Sequence, residues 1–162
     1  ILDLVKILLG KNKNKNIKEI PFDIYTCVND ICDMSRVQAQ KKGLVLHKTI
    51  DLKSRIYTSK QIYIQQICNN LVNNAIKYTD KGSIHIVCTD TQNKIKIQIS
   101  DTGIGIPDNK LKEIFMPFSQ LDNNKDGVGL GLHVISELVS NLDGVITVES
   151  ELHKGSTFTV VI

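Results

Sequence analysis

Residues 60–80, KQIYIQQICNNLVNNAIKYTD, constrain the fold of this chain more than any other stretch. Ile64, Ile67, Cys68, Leu71, Val72 and Ala75 recur at helical spacing, which predicts a helix with one buried face. At roughly 100° per residue, Asn70, Asn74 and Lys77 share one narrow stripe at the border of that face. Asn69 and Asn73 point toward water. Two amides and an ammonium one turn apart, beside a core, suit a place that holds a metal and phosphates. An Asn-rich helix with no such role has the same letters, so the rest of the chain must decide.

A second stretch sharpens the reading. KIKIQISD (94–101) alternates cleanly, with Ile95, Ile97 and Ile99 on one face and Lys94, Lys96 and Gln98 on the other. By that parity Asp101 falls on the apolar face, where a carboxylate is costly unless it binds a donor or caps the next turn. SIHIVCTD (83–90) is its expected hairpin partner. The loop DTGIGIP (101–107) follows, and its glycines let a flat ligand approach the backbone. DNKLKEIF (108–115) reads as a short helix and MPFSQLDNNKDG (116–127) as a polar lid. GVGLGLHVISELVSNL (127–142) opens on Gly127, Gly129 and Gly131, then becomes an amphipathic helix with Ile135, Leu138, Val139 and Leu142 inward and His133 solvated. Glycines before a helix leave its first amides free for an anion. GVITVES (144–150) and GSTFTVVI (155–162) are strands.

Upstream, Asp23 can cap a helix from Ile24 to Lys42, with Ile24, Val28, Ile31 and Val37 inward and Gly43 as its C-terminal stop. LVLHKTI (44–50) reads as a strand. Residues 1–9 have helical spacing without a cap, and KNKNKN (11–16) reads as a linker.

The 162 residues suit one domain. No apolar run is long enough to cross a bilayer, and the first ten residues lack the pattern of a signal peptide. A net charge of +3, without a basic block, argues against nucleic acid as a partner. Cys27, Cys32, Cys68 and Cys88 lack C-x-x-C spacing and read as small core hydrophobes in a reducing compartment. The glycine-rich segment is neither a Walker A loop nor a dinucleotide fingerprint.

The ordered set NLVNNAIKYT (70–79), DTGIGIP (101–107), IFMPFSQ (114–120), GVGLGL (127–132) and GSTF (155–158) resembles the ATP-binding catalytic domain of sensor histidine kinases. These belong to the GHKL, or Bergerat-fold, ATPase superfamily. The resemblance implies an α/β two-layer sandwich: a mixed, mostly antiparallel sheet, helices packed on one face, and a flexible ATP lid. It implies that residues 17–162 are the catalytic domain, and that residues 1–16 are the tail of a dimerisation and phosphoacceptor helix plus linker. The implied cofactors are ATP and Mg²⁺. Asn74 would be the metal ligand, and Asn70 and Lys77 would contact the phosphates and serve catalysis. Tyr78 would pack on the nucleotide. Asp101 would accept from the adenine amine, with Gly103, Gly105 and Ile106 lining the base pocket and Thr157 supporting it. Gly127, Gly129, Leu130, Gly131 and Leu132 would form the hinge of the lid and the phosphate cradle, with Lys125 on the lid as a phosphate contact.

One position separates branches of the superfamily. Hydrolysing relatives place a Glu general base one turn before the metal-binding Asn; here that position is Asn70, which cannot take a proton from water. The expected activity is therefore that of an ATP-dependent protein histidine kinase in two-component signalling, donating the γ-phosphoryl group to a histidine elsewhere. His47, His85, His133 and His153 all lack the phosphoacceptor context. The implied partners are the chain's own dimerisation domain and a response regulator; the isolated domain is expected to be a cytoplasmic monomer, its parent being either a soluble or a membrane-anchored sensor. The competing readings are a nucleotide-binding regulatory module, and a hydrolysing ATPase or serine kinase of the same superfamily.

Overall fold

The computed structural model describes residues 17–91, 94–119 and 129–162. Residues 1–16, with the expected helix tail and linker, and residues 120–128, with Lys125 and Gly127, lie outside them. The elements run β1 (Ile20–Asp23), α1 (Ile24–Lys41), β2 (Val45–Asp51), β3 (Ile56–Ser59), α2 (Gln61–Tyr78), β4 (Ser83–Thr91), β5 (Lys94–Asp101), α3 (Gly131–Ser140), β6 (Val145–Glu151) and β7 (Gly155–Val161).

The principal sheet has five strands in the order β2-β4-β5-β7-β6, and β1 pairs with β3 in a separate two-stranded ribbon. Only β2 and β4 are parallel; β3 and α2 form the crossover between them. The other pairs are antiparallel, so the architecture is the expected two-layer sandwich with a mixed, mostly antiparallel sheet. One face of the sheet presents Leu46, Ile84, Ile86, Cys88, Ile95, Ile97, Ile99, Phe158 and Val160, all buried. The opposite face carries exposed His47 and His85, whose rings stack at 4.5 Å across the β2–β4 pair.

α2 is the middle of the helix layer, packed between α1 and α3 and against β5. Its buried side chains are those the periodicity marks, with Tyr63 and Ile76 in addition. Asn69 and Asn73 are exposed as expected. Asp23 Oδ1 accepts from Thr26 N at 3.0 Å, which caps α1, and Arg55 Nη2 lies 2.6 Å from Asp23 Oδ2.

Three details differ from the sequence reading. Val37 is 54% exposed, because Cys27, Cys32 and Ala39 fill the inward stripe of α1 instead. Residues 108–115 form only a 3₁₀ turn at Asp108–Lys110 and further turns, with Ile114 as the buried anchor. His133 is half-buried, its Nδ1 3.1 Å from Phe115 O.

All four cysteines are reduced and buried. Burial pushes the Cys27 and Cys32 thiols up to about 11 and Cys88 to about 12, and raises Cys68 as well. At pH 8 only roughly one thiol in a thousand is then ionised at Cys27. Iodoacetamide at pH 8 is expected to leave the folded chain unmodified and to alkylate all four sites in denaturant, as mass spectrometry would read.

Candidate nucleotide site

Three chain segments meet at the C-terminal half of α2. Asn74, Ala75 and Tyr78 come from the helix; Asp101, Ile104, Gly105 and Ile106 come from the end of β5 and its loop; Ser156 and Phe158 come from β7. Leu132 of α3 closes the far side, and the cleft encloses about 370 Å³ including its mouth.

Asp101 ends β5 between Ile84 and Ser156. Its parity with Ile99 aims it at the helix layer, as the alternation predicts. Burial raises its carboxyl above the ordinary 3.8, opposed by the backbone N–H groups of Gly103 and Ser156. The Gly103 amide donates to Oδ1 at 2.8 Å. Beside it Ser150 Oγ donates to Gly155 O at 2.9 Å and accepts from Ile106 N at 2.8 Å. Ser150 has one proton, so in its 3.0 Å bond to Ser156 Oγ the Ser156 hydroxyl is the donor. Ser156 then faces the cleft with lone pairs. Asp101 and Ser156 together make an acceptor-only end, whose natural complement is a ligand N–H₂ group.

The D-x-G-x-G loop is held on both sides. Ile104 N donates to Tyr78 O at 3.2 Å, and His153 N donates to Ile104 O at 2.7 Å. A Cβ on Gly103 would press on Tyr78 O, while Asp101 Oδ1 and Thr79 Oγ1 both lie 2.9 Å from that point. Thr79 is fully buried, and its hydroxyl has no hydrogen-bond partner among the described residues.

Toward α3, a Cβ on Gly131 would stand 3.9 Å from Asn74 Nδ2, so the helix start faces the Asn74 amide. Leu130 is the N-cap and offers no side-chain bond to the first amides of the helix. Lys77 Nζ lies 4.9 Å from the centre of the Tyr78 ring. No group of three or more His, Cys, Asp or Glu able to hold a metal exists among the described residues. A hard cation here would rest on an amide oxygen, ligand phosphates and water.

Of the residues singled out from sequence, Asn74, Tyr78, Asp101, Gly105, Ile106 and Leu132 line the cleft together. Gly103 stands against Asp101, and Gly129, Leu130 and Gly131 form the start of α3. Asn70 and Lys77 are half-buried on the same helix and outside the lining. Thr157 is a correction. Its hydroxyl donates to Ser100 Oγ at 3.0 Å, on the face of the sheet opposite Phe158 and away from the cleft. Ser156 takes the place expected for it, together with Ala75, Ile104 and Phe158, which sequence reasoning missed. Strand parity carries the signal: Ser156 and Phe158 alternate with Val160 on the buried face.

Apolar walls, an acceptor-only head and a helix start that faces Asn74 define a nucleotide pocket on a two-layer α/β sandwich. The chain belongs to the histidine kinase-, DNA gyrase B- and HSP90-like ATPase family, whose model matches residues 59–162. Within it, sequence and fold are those of the ATP-binding catalytic domain of sensor histidine kinases. The autoinducer 2 sensor kinase/phosphatase LuxQ of Vibrio vulnificus is 39% identical over 98% of this chain, which spans 19% of that relative's length. Full-length ShkA, crystallised with AMPPNP, has a TM-score of 0.86 at 24% identity, covering 99% of this chain and 35% of that one. The histidine kinase ThkA, in complex with the response regulator protein TrrA, has a TM-score of 0.79 at 23% identity, covering 99% and 46%. At these identities the two structures are similar in fold.

Proposed function

We propose that this chain binds ATP with Mg²⁺ in the cleft and donates the γ-phosphoryl group to a histidine on a dimerisation helix of its parent protein. The observation that carries the reading is Asp101, a half-buried carboxylate beside the Ser156 acceptor at the head of an apolar cleft. That end fits the exocyclic amine of adenine. Ile106, Leu132 and Phe158 exclude water from the base, and the first amides of α3 receive phosphate oxygens. Asn74 holds the metal through its side-chain oxygen, and Asn70 and Lys77 flank the phosphates. Mg²⁺, when bound, offsets the charge of the phosphate chain.

Among the described residues Asp101 is the one acidic residue of the lining, and it stands at the base end. Asn70 stands one turn before Asn74, where hydrolysing relatives carry a Glu, and an amide takes no proton from water, which favours transfer over hydrolysis. The accepting imidazole nitrogen forms the N–P bond as the terminal P–O bond breaks and ADP leaves. AMPPNP in the ShkA structure and a response regulator on ThkA support the ligand and the downstream partner. No helix among the described residues is long and apolar enough to cross a membrane. The reading places residues 17–162 as the catalytic unit in the cytoplasm, with residues 1–16 leading from the phosphoacceptor helix.

Calorimetric titration with AMPPNP, with and without Mg²⁺, tests the assignment of the metal ligand. Asn74→Ala is expected to remove the Mg²⁺-dependent gain in affinity, a loss of roughly tenfold or more, while leaving adenosine binding unchanged. An undiminished Mg²⁺ effect in that variant would refute the role of Asn74. Steady ATP hydrolysis lost in Asn70→Ala would move the chain to the hydrolysing branch.

A further inference from the structure

The last turn of α2 is gripped by a side chain that never reaches the cleft. Lys42, the C-cap of α1, donates from Nζ to Ile76 O at 2.8 Å, Lys77 O at 3.0 Å and Thr79 O at 2.9 Å. Its Nζ also lies 3.5 Å from Asp80 Oδ1. An ammonium has three protons, and all three are spent on carbonyls at one helix end. Such carbonyls lack partners within their own helix and form the negative end of its dipole.

The remaining carbonyl of this run, Tyr78 O, accepts from Ile104 N of the D-x-G-x-G loop at 3.2 Å. Lys42 and the loop thus share out the carbonyls of residues 76–79 between them. Asn74 and Tyr78 lie within the last turn and a half of the same helix, and Thr79 packs on the loop beside Asp101. The lysine sets where the helix ends, and the helix end sets where the loop docks.

Building on the nucleotide-binding reading, we propose that Lys42 is a positioning residue for the site. It fixes the last turn of α2 and, through Tyr78 O, the loop that presents Asp101 and Gly105. Removing its charge is expected to loosen base and phosphate contacts together, although Lys42 touches neither.

The test compares Lys42→Met, Lys42→Arg and Lys48→Met, all in the full chain, by calorimetric titration with ADP at a temperature where circular dichroism shows each folded. Lys48 is a matched control: it donates to Asn29 Oδ1 at 2.6 Å and Asp33 Oδ1 at 2.8 Å, tying β2 to α1 away from the cleft. K42M is expected to weaken ADP about tenfold, and K42R to return within about threefold of wild type, because the cation is restored. K48M is expected to stay within about twofold, whatever its thermal stability. Wild-type affinity in K42M, or an equal loss in K48M, would overturn the inference. If K42M does not fold, Lys42→Gln, which keeps a neutral donor, is titrated against the same criteria. A wild-type chain that binds no ADP would overturn the proposed function itself, so the two failures fall in different arms.

Discussion

Asp101→Asn is expected to weaken adenine nucleotide binding roughly 10- to 150-fold while leaving the empty fold as stable as before, or more so. The substitution keeps shape and lets Asn Oδ1 retain the Gly103 amide, 2.8 Å away in the wild type. It also puts N–H groups where the cleft needs an acceptor, facing the amine of the base. A charged hydrogen bond lost against a buried donor costs about 1.5–3 kcal/mol, or roughly 10- to 150-fold in Kd. Stability moves the other way because burial raises the Asp101 carboxyl above its ordinary 3.8. A raised carboxyl binds more protons folded than unfolded, so its contribution is fully present below that value and is lost as pH rises through the folded one. Asn does not titrate. Chemical denaturation across pH 3.5–7 is therefore expected to show the wild type losing stability relative to D101N as pH rises. A difference that is flat, or of opposite slope, would remove burial as the governing influence on this carboxyl.

Gly105→Ala is expected to be the most damaging single-methyl change in the loop. Gly105 sits at φ +67°, and a Cβ there would drive into the Glu151 carbonyl and stand 3.0 Å from Leu152 Cα. Two costs combine: about 1–2 kcal/mol for an alanine in the left-handed region, and a clash with backbone that cannot rotate away. The expected loss is roughly 2–4 kcal/mol, or about 5–15 °C in Tm, with nucleotide affinity falling in step. Gly43→Ala separates the two costs. Gly43 has φ +73° but nothing within 4 Å of its would-be Cβ, so it bears the backbone cost alone. Equal destabilisation of the two variants would mean that the loop and the β6–β7 hairpin are less tightly joined than their geometry indicates.

The parts of this molecule legible in sequence are those where one rule acts alone. Helical periodicity placed the core of α2, and strand alternation aimed Asp101 at the helix layer. The hairpin of β4 and β5 followed from the same alternation. Reading was weaker where local pattern competes with tertiary context. Val37 has the hydropathy of an inward residue but lies roughly 180° around α1 from Val28, and Cys27, Cys32 and Ala39 fill the buried stripe. The ribbon of β1 and β3 escaped notice because each strand has only four residues. Within the site, Thr157 was expected by family resemblance, whereas strand parity, applied to GSTF as it was to KIKIQISD, selects Ser156. The Lys42 grip has no local signature at all: its acceptors lie 34 to 37 residues away, and only the packing of α1 against α2 brings them together.

On the proposed function, the cleft reads an adenine amine with acceptors alone. Calorimetric titration of the wild-type chain with ADP and with inosine diphosphate, which carries an oxygen in place of that amine, tests it most directly. ADP is expected to bind and the inosine nucleotide to bind at least about tenfold more weakly, since its oxygen would face Asp101 and Ser156 without a proton to share. Equal affinity for the two nucleotides, or no binding of ADP, would contradict it.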